Sequence, residues 1–313
     1  MTQDTAPTVT ADVTTTPPAV AIRGLVKRFG DLTAVDHLDL SIAAGEVYGL
    51  LGPNGAGKTT TIRCAMGYLV PTAGEALLLG GDARDPAVRR RIGYLPSDPG
   101  LDRRMRVLDL LRWYGTLRGG VDPAVVRGLA ERLDLPLDRR IGELSRGNRQ
   151  KVGVVQAFMH HPALVVLDEA TSGLDPLVQR EVLRLIREAA AGGTAFLFSS
   201  HVLPEVEEIA GRVGILRQGR MVVEDTVAGL LGKATQHLEF TLEQPLDPEM
   251  LRGIPGVVGA HAADHRLYVQ VNGSAAELVR ALAPVGVSRV ATDVHELDDV
   301  FFDYYEGNEG ESA

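Results

Sequence analysis

Cysteine is nearly missing from this 313-residue chain, in which Cys64 stands alone. One thiol excludes an intrachain disulfide framework and a cysteine-cluster metal site, and it fits a reducing compartment. Long apolar runs are missing too. No stretch approaches the roughly 18 uncharged apolar residues of a membrane span, and mean hydropathy is only +0.03. The first residues lack the charged-then-apolar pattern of a secretory signal, so the expectation is a cytoplasmic chain. No internal repeat and no sustained heptad is visible. What is present is ordinary: 45% hydrophobic and 23% charged residues. That composition excludes disorder as the main state, and the length predicts about two domains.

Charge divides the chain. Residues 236–313 carry 14 acidic and 4 basic side chains, a net −10, while residues 1–235 carry 27 acidic and 28 basic. An almost neutral body with an acidic C-terminal quarter predicts two units with different surfaces. The acidic quarter also excludes nucleic acid as its own ligand, since phosphate binding needs a basic surface. At the other end, residues 1–19 hold seven Thr, three Pro and almost no large apolar side chain. Such a segment buries too little to offset its ordering entropy and reads as a disordered tail.

Between these ends, strands alternate with helices. Val20–Val26 and Leu38–Ile42 alternate apolar and polar residues as half-buried strands do. Residues 46–51 read as a buried strand that runs into a glycine loop, followed by a helix over 59–67. Short strands are predicted at 76–79 and 91–95, and a helical stretch over 101–133. Buried strands follow at 164–167 and 194–198, with an amphipathic helix over 177–191 between them and a hairpin around 218–220. This alternation predicts a mainly parallel sheet with helices on both faces. Past Gly232, strands at 237–242 and 267–271 and a helix at 275–282 predict a small α+β domain.

Three motifs carry chemistry. Gly52-Pro53-Asn54-Gly55-Ala56-Gly57-Lys58-Thr59-Thr60 satisfies the phosphate-binding loop pattern, with a strand before it and a helix after. Glycines let successive N–H groups turn toward phosphate oxygens, and the following helix adds the positive end of its dipole. Lys58 would place a point charge on the β and γ phosphates, and the Thr59 hydroxyl would ligate magnesium. The second motif, Leu164-Val165-Val166-Leu167-Asp168-Glu169, puts two carboxylates at the carboxyl edge of a parallel sheet, where such sheets bind ligands. Asp168 would hold the magnesium and Glu169 would deprotonate the attacking water. Taken alone, an Asp-Glu pair there also serves as a helix-start acid pair. The third is Leu144-Ser145-Arg146-Gly147-Asn148-Arg149-Gln150-Lys151, in which Ser145 by itself reads as a helix N-cap.

Together the three motifs resemble the ATP-binding subunits of ABC transporters, over about residues 20–230. The resemblance implies an α/β fold. A P-loop NTPase core with a mainly parallel sheet would carry an N-terminal antiparallel β subdomain and a helical subdomain at about 98–155. The ATPase domain would span 20–232, followed by the small α+β accessory domain at 236–313. It implies that Phe29 stacks on adenine, where a Tyr is commoner, and that His201 in Ser199-Ser200-His201 contacts the γ phosphate. Ser145, Arg146, Gly147 and Asn148 would form the signature loop that reaches ATP bound to a second subunit. Asp175, in Ser172-Gly173-Leu174-Asp175, would serve communication between subunits, so hydrolysis would need a dimer.

Three positions depart from the family pattern. Ser97 stands where a magnesium-ligating, partner-sensing Gln is usual, Arg146 replaces a Gly, and Ala170 replaces a Pro. Because Lys58, Thr59, Asp168, Glu169 and His201 remain, hydrolysis is still expected; coupling through position 97 is the altered step. Residues 95–151 hold 12 basic and 8 acidic side chains, which suits docking near lipid head groups. The implied reading is an ATPase with ATP and Mg2+ as cofactors, peripheral on the inner face of the cell membrane. Its partners would be a second copy or a paralogous subunit and a separate integral-membrane permease, with no nucleic acid. The appended C-terminal domain and the signature sequence resemble the drug, antibiotic, lipid and polysaccharide exporter branch. Two other readings stay open: a soluble ATPase of this family acting on a ribosome or nucleic-acid complex, and a non-hydrolysing regulatory subunit.

Overall fold

The computed structural model describes residues 17–231 and 235–293. Strands β1 (Val20–Phe29) and β2 (Leu32–Ile42) form an antiparallel hairpin, and β3 (Val47–Leu51) leaves it for a second sheet. Helix α1 (Lys58–Ala65) follows directly, and β4 (Ala73–Leu78) then returns to pair with β1. The one-turn helix α2 (Pro86–Arg89) leads to β5 (Ile92–Leu95). Three helices come next: α3 (Val107–Leu117), α4 (Pro123–Arg132) and α5 (Arg146–Phe158). The predicted helical stretch at 101–133 is thus two helices. Gly119 and Gly120, both at positive φ, break it, and Asp122 caps α4 by accepting from the Ala124 N–H.

The chain then alternates: β6 (Leu164–Asp168), α6 (Pro176–Ala191), β7 (Ala195–Ser200), α7 (Leu203–Ile209), β8 (Arg212–Arg217), β9 (Arg220–Thr226) and α8 (Val227–Leu231). The main sheet has the order β5-β6-β7-β3-β8-β9, parallel except for the β8–β9 hairpin. Its central strands are apolar at nearly every residue because both faces are covered. Alternate side chains feed different cores. Val165, Leu167, Phe196 and Phe198 join the helices on one face, while Leu164, Val166, Ala195 and Leu197 join the core on the other. That second core is not a helix layer alone. It includes Ile62 and Ala65 of α1 together with Ile22, Leu25, Leu38 and Leu40 of the antiparallel sheet β2-β1-β4. Helices thus lie on both faces as expected, and the expected N-terminal antiparallel sheet packs beside α1 on one of them.

Strands β10 (Thr235–Leu242), β11 (Val257–Ala263), β12 (Arg266–Asn272) and β13 (Val287–Asp293), with helix α9 (Ala276–Leu282), form the acidic unit. The sheet order is β11-β12-β10-β13, all antiparallel. Phe240, Leu267, Val271, Leu278 and Leu282 give it a core of its own. The two central strands and the helix match the sequence reading; the two edge strands were not anticipated. β11 carries Gly259 and three alanines and is mostly exposed, so it shows neither β-propensity nor alternation. The aromatic face anticipated at Leu297, Phe301, Tyr304 and Tyr305 lies outside the described residues, as does most of the tail anticipated at 1–19.

Candidate functional site

The site assembles at the carboxyl ends of β6, β7 and β3, which lie side by side. Register places Asp168 opposite Ser199 and Leu51 opposite Ser200. Three segments distant in sequence thereby converge on one edge.

The loop from Gly52 to Gly57 is shaped by backbone demands that only glycine meets. Gly52 has φ 148° and a Cβ there would stand 2.5 Å from the Leu216 carbonyl oxygen; Gly57 has φ 108° and would meet the Ala34 carbonyl oxygen at 2.6 Å. The turn is propped from both sides, since the Gly219 N–H donates to the Ala56 carbonyl at 2.9 Å. Asn54 and Gly55 are exposed at its tip, Pro53 is half-buried, and Thr60 lies in the first turn of α1. Lys58 is 5% exposed. Its Nζ donates to the carbonyl oxygens of Gly52 and, at 3.2 Å, Pro53. Burial pushes the Lys58 ammonium below its usual pKa, and the Glu169 and Asp168 carboxylates push it back up. A buried ammonium at the N-terminus of a helix is an arrangement that can hold phosphate oxygens.

Asp168 is fully buried. Its Oδ1 accepts from Thr59 Oγ1 at 3.1 Å and from Ser199 Oγ at 2.7 Å. Its Oδ2 is buried without a partner among the described residues. A buried polar atom left unmet costs about 1–3 kcal/mol, more when charged. An all-oxygen donor set of this kind, a carboxylate beside a hydroxyl, suits a hard divalent cation such as magnesium.

Glu169 follows at φ 54°, a region that non-glycine residues rarely occupy. Such strain gathers where function dictates geometry. Its N–H donates to the Ser199 carbonyl at 3.0 Å, and its Oε1 lies 3.3 Å from His201 Nδ1. Both side chains keep solvent access, Glu169 at 23% and His201 at 51%. A carboxylate and an imidazole in contact, open to solvent and beside a phosphate cradle, can hold and deprotonate a water.

The other anticipated residues lie around this centre. Ser145 caps α5, accepting from the Asn148 N–H at 3.1 Å. Gly147 packs on the loop after Glu169, where a Cβ would stand 2.8 Å from the Gly173 carbonyl oxygen, and the Arg146 side chain lies along Gly173. Asp175 caps α6, accepting from the Leu177 and Val178 N–H groups. Ser97 is half-buried in a bend two residues past β5, whose last pair is Leu95 with Leu167. Phe29 ends β1 as an exposed ring (46%) rather than a core aromatic. Lys27 Nζ sits 4.9 Å from its centroid.

The sequence reading gave no role to three side chains that hold this geometry. Gln150, 4% exposed, donates through Nε2 to the Ala170 carbonyl at 3.1 Å. Thr171 and Glu205 are also buried and hydrogen-bonded to each other at 2.7 Å. Only Glu205 left a signal, an acid set among apolar residues in Leu203-Pro204-Glu205-Val206.

The family described as ABC transporter matches residues 35–172. The bacitracin transport ATP-binding protein BcrA of Bacillus licheniformis is 34% identical over 223 residues, 70% of this chain and 73% of that protein. The Nod factor export ATP-binding protein I of Rhizobium sp. (strain N33) is 35% identical over 220 residues, 68% and 72% of the two chains. Among solved structures, one described as the ATP binding subunit of an ABC transporter has a TM-score of 0.64 at 28% identity. That match covers 68% of this chain and 91% of the other.

Proposed function

The chain belongs to the ABC transporter ATP-binding subunits, a family of ATPases, and from that premise we propose that it powers export through a separate membrane permease. The observation that carries the hydrolytic part is the meeting of Lys58, Asp168, Glu169 and His201 at one sheet edge. In this reading, the 52–57 backbone and Lys58 hold the β and γ phosphates, and Phe29 stacks on the adenine. Glu169 takes the proton of the attacking water while His201 orients it toward the γ phosphate. Thr59 and Asp168 would hold Mg2+, which when bound neutralises charge on the phosphate oxygens. Ser145, Arg146, Gly147 and Asn148 act on the nucleotide of a second subunit, and Asp175 lies on the loop between the two. ATP favours the closed dimer and hydrolysis removes that preference, a population shift that the permease converts into alternating access.

Export is favoured by relatives whose printed names are those of a bacitracin transport and a Nod factor export protein. No helix among the described residues is long and apolar enough to cross a membrane, which suits a permease on another chain and a place on the inner membrane face. A groove of about 370 Å³ beside the β5 bend fits the permease contact. It is lined by Tyr68, Tyr94 and Tyr114 with Arg63, Arg89 and Arg118, and by no carboxylate. The direct experiment is phosphate release by the purified chain with and without Mg2+. Activity that survives chelation, or none at any magnesium concentration even with the permease added, overturns the reading.

Two further results are expected. Ser97→Gln leaves the basal ATPase rate within about tenfold, because Thr59 and Asp168 already supply the metal-facing oxygens; steady-state assays check this, and complete loss would assign Ser97 a task of its own. Removing residues 236–313 leaves nucleotide affinity intact, because every phosphate-facing residue lies elsewhere. That unit has its own core and, in our reading, supports the dimer, so sedimentation of the truncated chain is expected to show weaker association and transport is expected to fall. Unchanged dimerisation with normal transport would refute that role.

A further inference from the structure

Glu205 lies on α7, four residues past His201, and the hydrolytic roles above do not use it. Its side chain is buried, with Thr171 and Ser200 equally buried beside it at 8%, 3% and 2% exposure. Thr171 Oγ1 donates to Glu205 Oε2 at 2.7 Å, and Ser200 Oγ donates to the same oxygen at 3.3 Å. Ser200 Oγ in turn accepts the Val202 N–H at 2.9 Å. Burial pushes the Glu205 carboxyl above its usual pKa, and the two hydroxyls pull it down.

The two donors belong to the two segments that carry the reactive pair. Thr171 follows Glu169 by two residues, and Ser200 immediately precedes His201. One carboxylate oxygen therefore bridges the backbones whose side chains meet at 3.3 Å. Thr171 also opens the 172–175 loop, its carbonyl accepting from the Leu174 N–H at 3.1 Å and from Gln179 Nε2 at 3.4 Å. An apolar residue at 205 would satisfy packing between Leu203 and Val206, both buried. A buried acid is costly unless its hydrogen bonds are needed, and here they join two loops that no backbone ladder joins beyond Ser199.

We propose that Glu205 is a positioning residue: by holding Thr171 and Ser200 it sets the Glu169–His201 geometry and ties it to the 172–175 loop. The proposal rests on Glu169 and His201 being the hydrolytic pair. Displacement of that loop when two subunits close would then reach the pair through a side-chain link.

The test uses the full chain as wild type, Glu205→Leu, Glu205→Gln, Thr171→Val, the double variant Glu205→Leu with Thr171→Val, and Glu169→Gln, measuring kcat, KM for ATP and equilibrium binding of a fluorescent ATP analogue. Glu205→Leu is expected to lower kcat about 10–100-fold, the cost of a misplaced reacting group, with analogue affinity within about threefold of wild type. Glu205→Gln keeps an oxygen that can accept both hydroxyls and is expected to stay within about fivefold. Thr171→Val is expected to lower kcat on its own and to add little in the Glu205→Leu background, as members of one unit do. If Glu205→Leu does not fold, Thr171→Val against Glu205→Gln carries the comparison. An unchanged kcat in Glu205→Leu and Thr171→Val, equal losses in the Leu and Gln variants, or a parallel fall in analogue affinity would overturn the proposal. Wild-type turnover in Glu169→Gln would instead remove the reading of the pair on which it rests.

Discussion

Lys58→Ala is expected to lower ATP turnover by at least about 10²–10³-fold, the usual cost of removing a preorganised charge from a transferring phosphoryl group. The ammonium is buried at the N-terminus of α1, and its Nζ bonds to the Gly52 and Pro53 carbonyls within the loop. It faces the Glu169 and Asp168 carboxylates, which favour its charged form against the cost of burial. With alanine there, the charged γ-phosphate oxygens would face those two carboxylates without the Lys58 ammonium between them. Nucleotide affinity is expected to fall together with turnover, because the same charge serves ground state and transition state. The fold itself is not at stake, since the turn keeps its backbone hydrogen bond from the Gly219 N–H to the Ala56 carbonyl. Phosphate release, analogue binding and a thermal unfolding curve on one preparation check all three statements. Hydrolysis at the wild-type rate in a folded variant would remove the phosphate-site assignment.

Glu169→Gln is expected to separate binding from chemistry. The substitution is isosteric, and the Glu169 N–H bond to the Ser199 carbonyl does not depend on the side chain. The amide keeps its contact with His201 but cannot take a proton. Turnover is expected to drop about 10²–10⁴-fold, the range contributed by a positioned general base, while ATP affinity holds. Because hydrolysis is what reopens the closed form, the variant is also expected to accumulate an ATP-bound dimer. Size exclusion with ATP and Mg2+ reads this directly. A variant that stays monomeric under these conditions, with the permease present as well as without it, is incompatible with a site shared between two subunits.

The contrast between Lys58 and Glu205 shows where sequence reading stops. Lys58, Thr59, Asp168 and Glu169 were legible because their geometry is local. A positive-φ glycine turn between a buried strand and a helix forces the loop, and an apolar strand ending in two acids forces the carboxylates to the sheet edge. The same holds for α6 and for the capped start of α5, whose patterns lie within a few residues. It fails at β11, which sends only Val257 and Ala260 to the core and pairs with β12 through a ladder of backbone partners.

By itself, then, the amino-acid order determined the glycine loop before α1, the acid pair and the alternation of strands and helices, because each is encoded over contiguous residues by backbone sterics and side-chain period. Only the tertiary structure decided which distant groups meet. Ser199 reaches Asp168 across 31 residues, Gln150 reaches Ala170 across 20, and Glu205 reaches Thr171 across 34. A hydrogen bond between segments that far apart leaves no period and no local propensity in either one. It comes into being when the parallel sheet sets β6 beside β7 and the helices close over them.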